Sequence, residues 1–296
     1  MNAELTFQTH RPRLLALAYR LLGDRAEAED VLQDAWLRWA GANQADIRDP
    51  LAWLVTATTR LGLDRLRAVR RERQRYAGPW LPGPLSVEEH APDPPQVHGQ
   101  TEAVSLAFLS LLEQLSADER AAFVLKEAFD IDYPQMAGLL GHSQANCRQL
   151  VHRARQRLQA GRPRFSVDPQ QHVQLLTRFM EASQRGDRAA LQSLLHAHAR
   201  HLSDGGGVVT AGIRPLCGAE RIARLYWAIA RRGAAAPARL GWVNGELAIL
   251  RGVGSQLQSV TTIEVHDGRI IGIYSVLNPH KLDGLVTGGG VATSLE

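Results

Sequence analysis

Apolar positions three and four apart dominate the first 75 residues and predict a run of helices. Leu14, Leu17, Ala18, Leu21 and Leu22 make a stripe that stops at Gly23. Asp24 and Glu27 have capping-box spacing and open a second helix, whose Ala28, Val31, Leu32, Ala35, Trp36 and Trp39 share one face. Asp49-Pro50, an N-cap acid followed by proline at the first helical position, opens a third helix that runs to about Arg75. Its apolar rows (Leu51, Leu54, Val55, Thr58, Leu61) fade where arginines begin.

Residues 76–100 break this pattern. They hold six of the chain's 14 prolines and no Lys or Arg, which predicts an extended linker unable to form a helix or a central strand. Trp80 and Leu81 are large apolar groups for a linker, so it is expected to dock on another surface. Helical texture returns over 101–164. Ser116 and Glu119 form a capping box; Asp132 caps a short helix with Pro134 in its first turn. Gly141 ends that helix, Ser143 restarts the chain, and a basic helix follows from Gln144 to about Ala160. Two helices joined at a glycine, the second basic, is a helix-turn-helix pattern.

From Asp168 the texture changes again. Helices are expected over 169–184, 188–196 and 218–232, with mixed sequence containing Asp204-Gly205-Gly206-Gly207 between the last two. Strand-like runs follow at 239–243, 246–250, 256–265 and 269–277, the last two joined by His266-Asp267-Gly268, a hairpin signal. The expected organisation is therefore multi-domain: all-α over 1–75, a linker over 76–100, a helix-turn-helix domain over 101–164, an α+β domain over 165–283, and a disordered tail over 284–296.

Charge sharpens this outline. The stretches 60–75 and 141–164 hold 13 arginines against two acids, Asp64 and Glu72, while 76–140 has ten acids and two basic residues. Averaged over 296 residues this is only +4. Locally it is two cationic faces on a tether, as expected of a protein that grips a polyanion at two places. Cys147 and Cys217 lack metal-ligand spacing, and the start has no signal-peptide pattern. Reduced thiols, a cytoplasmic location and no membrane span are expected.

The segments AEAEDVLQDAWLRW (26–39) and DPLAWLVTATTRLGLDRLRAVRRER (49–73) resemble the promoter-melting, −10-reading domain of bacterial extracytoplasmic-function sigma factors. Residues 115–158 are similar to the −35-reading helix-turn-helix domain of the same family. WLPGP (80–84), DGGG (204–207) and NPHKL (278–282) resemble the subgroup that carries a SnoaL-like, cone-shaped C-terminal extension. The resemblance implies two all-α sigma domains followed by an α+β SnoaL-like domain, in a transcription initiation factor that is no enzyme. Its implied partners are promoter DNA and core RNA polymerase, whose β′ coiled coil would meet Asp30, Gln33, Asp34, Leu37 and Arg38. Arg60, Arg65, Arg67, Arg70 and Arg71 would hold the separated −10 strand, with Arg60 standing where many members have Asn. Ser143, Asn146, Arg148, Gln149, His152 and Arg153 would meet the −35 element. The positions 148, 149, 152 and 153 share one helical face and carry side chains suited to guanine and adenine edges. Trp80, Leu81, Pro82, Asp204, Gly205, Gly206, Gly207, Asn278, Pro279, Lys281 and Leu282 would form a regulatory interdomain set.

Other readings stay open on the sequence alone. A helix-turn-helix regulator with a ligand-sensing C-terminal domain has the same charge pattern. Some SnoaL-like folds are enzymes using Asp/His or Asp/Tyr pairs, for which His196, His198, His201, Asp204 and Tyr274 are candidates. The spacing of the three histidines also suits a metal. No cofactor or metal is expected, but the C-terminal pocket leaves room for an unidentified small ligand.

Overall fold

In the computed structural model the described residues are 3–88, 105–161, 168–233, 236–254, 256–283 and 285. They form two compact units, residues 3–75 with 108–161, and residues 76–88 with 105–107 and 168–285. The expected tail, 284–296, lies outside the described residues except for Leu285, which is buried.

The first unit opens with α1 (Ala3–Leu22), α2 (Arg25–Ala40) and α3 (Pro50–Arg73). Local chemistry sets their ends. Asp24 accepts from the Glu27 amide and Asp49 from the Ala52 amide, each satisfying a donor that the first helical turn leaves free. Leu14, Leu17 and Leu21, with Val31, Ala35 and Trp39, and with Leu54 and Leu66, make the shared core. Each of the Leu and Val side chains contributes about 1.5–3 kcal/mol on burial. Trp53 packs with its ring centroid 5.4 Å from that of Trp39, so it belongs to the helix–helix contact in this form.

After α4 (Leu106–Leu112) come α5 (Ala117–Glu127), α6 (Tyr133–Leu140) and α7 (Gln144–Gly161). The Ser116–Glu119 capping box has both of its hydrogen bonds. Gly141 ends α6 at φ 69°, a left-handed conformation that a Cβ would strain, and this lets α7 turn away. Cys147, Leu150, Val151, Ala154 and Leu158 are the buried stripe of α7.

The second unit is built on a seven-stranded sheet in the order β1-β4-β5-β6-β7-β2-β3. Its strands are β1 (Val87–Glu88), β2 (Leu195–Asp204), β3 (Leu216–Cys217), β4 (Ala238–Val243), β5 (Glu246–Val253), β6 (Gln256–His266) and β7 (Arg269–Val276). Helices α8 (Pro169–Arg185), α9 (Arg188–Leu194) and α10 (Ala219–Arg231) pack on one face through Leu176, Phe179, Leu191 and Ile222 against Ile249, Ile263 and Ile273. A short α11 (Pro279–Leu282) follows β7. This is the α+β architecture the sequence implied, with two differences. The expected helix 188–196 stops at Leu194, and the mixed sequence after it is a ten-residue strand parallel to β7. The linker also supplies an edge strand, since Val87 and Glu88 pair with Val243 and Trp242.

Candidate nucleic-acid interface and the C-terminal hub

The sequence of α7 alternates so that its two sides differ completely. Arg148, Gln149, His152 and Arg153 are exposed, over the buried Cys147, Leu150, Val151 and Ala154. Ser143 precedes the helix, and its hydroxyl accepts from the Asn146 amide at 3.2 Å. The Arg148 guanidinium lies 5.2 Å from the Tyr133 ring centroid, which orients it without neutralising it. Arg153 stands 3.7 Å from Glu119. Burial raises the Cys147 thiol, which fits a core residue rather than a reactive thiolate.

On α2 the five positions assigned to polymerase are all exposed, including Leu37 at 60%. An apolar side chain that open, flanked by Asp30, Asp34 and Arg38, has the make-up of a contact surface.

The five α3 arginines are placed differently. Arg60 donates to the Gly138 carbonyl at 3.3 Å, Arg67 pairs with Asp118 at 2.8 Å, and Arg70 donates to the Glu113 carbonyl at 3.1 Å. Arg65 grips Glu27 through two nitrogens, and that hydrogen bond raises its pKa against the cost of burial. Arg71 is exposed and bonds the Arg67 carbonyl of its own helix. Four of the five are thus engaged by groups outside α3, three of them in the helix-turn-helix half. Three residues outside the assigned set anchor this arrangement. Glu113 pairs with Arg73 at 2.8 Å and with Arg120, which is 1% exposed and donates to the Arg20 carbonyl at 2.9 Å. Burial raises the Glu113 carboxyl, but Arg120 and Arg73 outweigh it and hold it below the usual range. Sequence reasoning missed this triad because Arg73 lies 40 residues from Glu113 and no motif links either of them to Arg120.

In the second unit the sequence-assigned residues converge on Asp204, which is fully buried. Its carboxylate accepts from the Leu81 amide at 2.9 Å, the Gly206 amide at 3.0 Å, the Tyr76 hydroxyl and the Lys281 ammonium at 2.7 Å. Lys281 also donates to the Leu81 carbonyl and sits 3.9 Å from the Trp80 ring centroid. Asn278 donates to the Tyr76 hydroxyl at 2.9 Å. Gly206, at φ 65°, leaves no room for a Cβ, which would fall 2.4 Å from the Asn278 amide. Pro82 and Leu282 are buried beside this hub, whereas Gly207 and Pro279 are exposed.

The candidates for catalysis are not brought together. His196 and His198 have ring centroids 5.5 Å apart and lie on the outer side of β2, while His201 is buried against Ser275 and Tyr226. Tyr274 donates to Glu264 at 2.8 Å, and Asp204 is occupied by the hub. Among the described residues no group of three His, Cys, Asp or Glu side chains is placed to hold a metal. No helix among them is long and apolar enough to cross a membrane.

Residues 6–72 match the sigma-70 region 2 family and residues 105–158 match sigma-70 region 4. Over 289 residues the chain is 35% identical to the ECF RNA polymerase sigma factor SigJ of Mycobacterium tuberculosis, covering 94% of this chain and 92% of that protein. It is 34% identical to the probable ECF RNA polymerase sigma factor SigI of the same organism over 96% of this chain and 97% of that one. The crystal structure of the M. tuberculosis SigJ matches with a TM-score of 0.75 at 34% identity, over 94% of this chain and 98% of that chain. The chain belongs to the extracytoplasmic-function family of RNA polymerase sigma factors. Its function is to bind core polymerase and direct promoter recognition and initiation.

Proposed function

We propose that this sigma factor docks on the β′ coiled coil of core polymerase through Asp30, Gln33, Asp34, Leu37 and Arg38. In the same reading α7 reads the −35 element through Arg148, Gln149, His152 and Arg153, with Ser143 and Asn146 on phosphate at its N-terminus. The observation that carries it is the two-sided α7: polar and cationic side chains outside, with apolar ones holding the helix down. Arg60, Arg65, Arg67, Arg70 and Arg71 take the −10 strand once they exchange their protein partners for phosphate. The form described here is thus a closed one, and core polymerase opens it. The C-terminal SnoaL-like domain catalyses nothing; it regulates the sigma domains through the Trp80–Pro82, Asp204–Gly207 and Asn278–Leu282 segments, and its cavity accepts a small ligand. The protein works in the cytoplasm, where core polymerase is. Run-off transcription with core polymerase on the chain's own upstream region tests the reading. Specific transcripts are expected, and duplex binding without polymerase-dependent transcription would favour a repressor instead.

A further inference from the structure

The second unit holds a half-open cavity of about 470 Å³ bounded by α8, α10 and the sheet. That is within the roughly 300–1,000 Å³ of small-molecule sites. Its wall is apolar along α10, from Leu225, Tyr226 and Ile229, and among the described residues no carboxylate lines it. On the sheet side Ser275 joins two groups: its hydroxyl is 3.2 Å from His201 Nε2 and 2.9 Å from the Thr261 hydroxyl. Burial drives the His201 imidazolium down to about 4 and the Tyr226 phenol up to about 12, so both are neutral at neutral pH.

One formal charge reaches the interior. Arg251, half-buried on β5, donates to the Ser183 hydroxyl at 2.7 Å and to the Ala236 carbonyl at 3.2 Å. Among the described residues no carboxylate pairs with it. A guanidinium partly withdrawn from water without an anion is costly, and burial lowers its pKa accordingly. The second arginine of the lining, Arg232, is exposed. An uncompensated cation facing an apolar wall, with neutral hydroxyls beside it on the sheet, is complementary to one ligand chemistry.

We infer that the cavity binds an organic carboxylate: an acid with an apolar body against Leu225 and Ile229 and its carboxylate on the fork of Arg251. The planar guanidinium suits a carboxylate through paired N–H donors, whereas a neutral molecule leaves the charge unanswered. Hydroxyls of Thr261 and Ser275 can meet a carbonyl or hydroxyl on the same ligand. The inference rests on the reading of this cavity as a ligand site and supplies the class of ligand.

The test uses the full chain and a panel of matched pairs, decanoate with decanamide and 4-phenylbutyrate with 4-phenylbutyramide, together with inorganic phosphate, in titration calorimetry. The acids should bind about tenfold or more tighter than their amides, as expected for charge-assisted hydrogen bonds in a partly desolvated site. Arg251→Gln should bring acid and amide to equal affinity. Because Arg251 also braces Ser183, a thermal unfolding midpoint is measured beside it, and Ile229→Trp serves as a second variant. That variant fills the apolar wall and should weaken acid and amide together. Acids and amides that bind alike in the wild-type chain overturn the carboxylate assignment while leaving a ligand cavity. Phosphate binding as tightly as the acids overturns it too. No binding by any compound overturns both the assignment and the cavity's role as a ligand site, without touching polymerase binding.

Discussion

Lys281 and Asp204 form an ion pair 2.7 Å long with side-chain exposures of 5% and 0%. The carboxylate also takes the Leu81 amide and the Tyr76 hydroxyl, so the pair fastens residues 76–88 to the C-terminal unit. Removing one partner leaves the other charge buried and unpaired, at a cost of about 3–5 kcal/mol. Lys281→Met should lower the stability of this unit by about that amount, and Asp204→Asn by at least as much, because its NH2 group would face N–H or O–H donors while Lys281 stays buried without an anion. Urea unfolding followed by tryptophan fluorescence measures both. A midpoint unchanged in Lys281→Met would show that the linker is not fastened here.

For −35 recognition, Arg148→Ala and Arg153→Ala should each weaken promoter binding by about 1–3 kcal/mol and relax preference at particular base pairs. Arg155 pairs with Glu127 at 2.5 Å on a different side of α7, so Arg155→Ala serves as the control and should change specificity little. Footprinting on promoter variants distinguishes the two effects. Equal specificity in all three variants would move the reading face elsewhere on the helix.

Polymerase binding depends in the proposal on the exposed face of α2. Asp34→Arg reverses a charge that faces solvent, so helical content should hold while affinity for core enzyme falls by about tenfold or more. Pull-down against core polymerase measures it, with circular dichroism as the fold control. A full-strength complex would take α2 out of the interface.

How far this molecule was readable from its sequence depends on how local the determinants are. The helices and their caps were legible because Asp24, Asp49, Ser116 and Asp132 act on amides three residues away. The polar face of α7 was legible because helical spacing alone groups 148, 149, 152 and 153. Strand β2 escaped, since the side chains it buries include His201 and Ser203, which line a cavity and so hide the usual apolar alternation. Strand β1 escaped because its two residues are strand only by pairing with Val243 and Trp242. The Glu113–Arg120 anchor and the isolated Arg251 carry no motif. Their meaning lies in what surrounds them after folding.

Glu246 offers a pH test of the second unit. Burial, with Glu264 nearby, raises its carboxyl to about 7, and His172 Nε2 stands 3.9 Å away. A carboxyl near 4.5 in the unfolded chain that titrates near 7 in the fold makes the native state hold the extra proton between these values. Stability therefore falls as pH rises from about 4.5 to about 7. Glu246→Gln removes that dependence, so its unfolding temperature should exceed the wild type's by more at pH 8 than at pH 5. A gap independent of pH would assign the titration to another group.

The regulatory role is tested by truncation, and the hub makes the two useful cuts unequal. A 1–164 protein loses Asp204 and Lys281 together, so residues 76–88 keep their prolines but lose every partner in the hub. A 1–277 protein keeps Asp204 but loses Lys281 and Asn278, which leaves a buried carboxylate without its cation and the Tyr76 hydroxyl without its amide donor. The two cuts free the linker in different ways: the first by removing its dock, the second by destabilising it. While 76–88 are docked, only the chain after Glu88 is left to span the two sigma domains, and −10 and −35 elements lie at a fixed separation. Freeing the linker lengthens the tether, whose closure entropy grows only slowly with length, so −35 binding should persist in both truncations. Transcription should change, and 1–277 should differ from 1–164 because its damaged domain still occupies the linker part of the time. Full-length, 1–277 and 1–164 proteins compared by run-off transcription at equal core saturation decide this. Three equal activities would leave the C-terminal domain without a regulatory role and return attention to chemistry in its cavity.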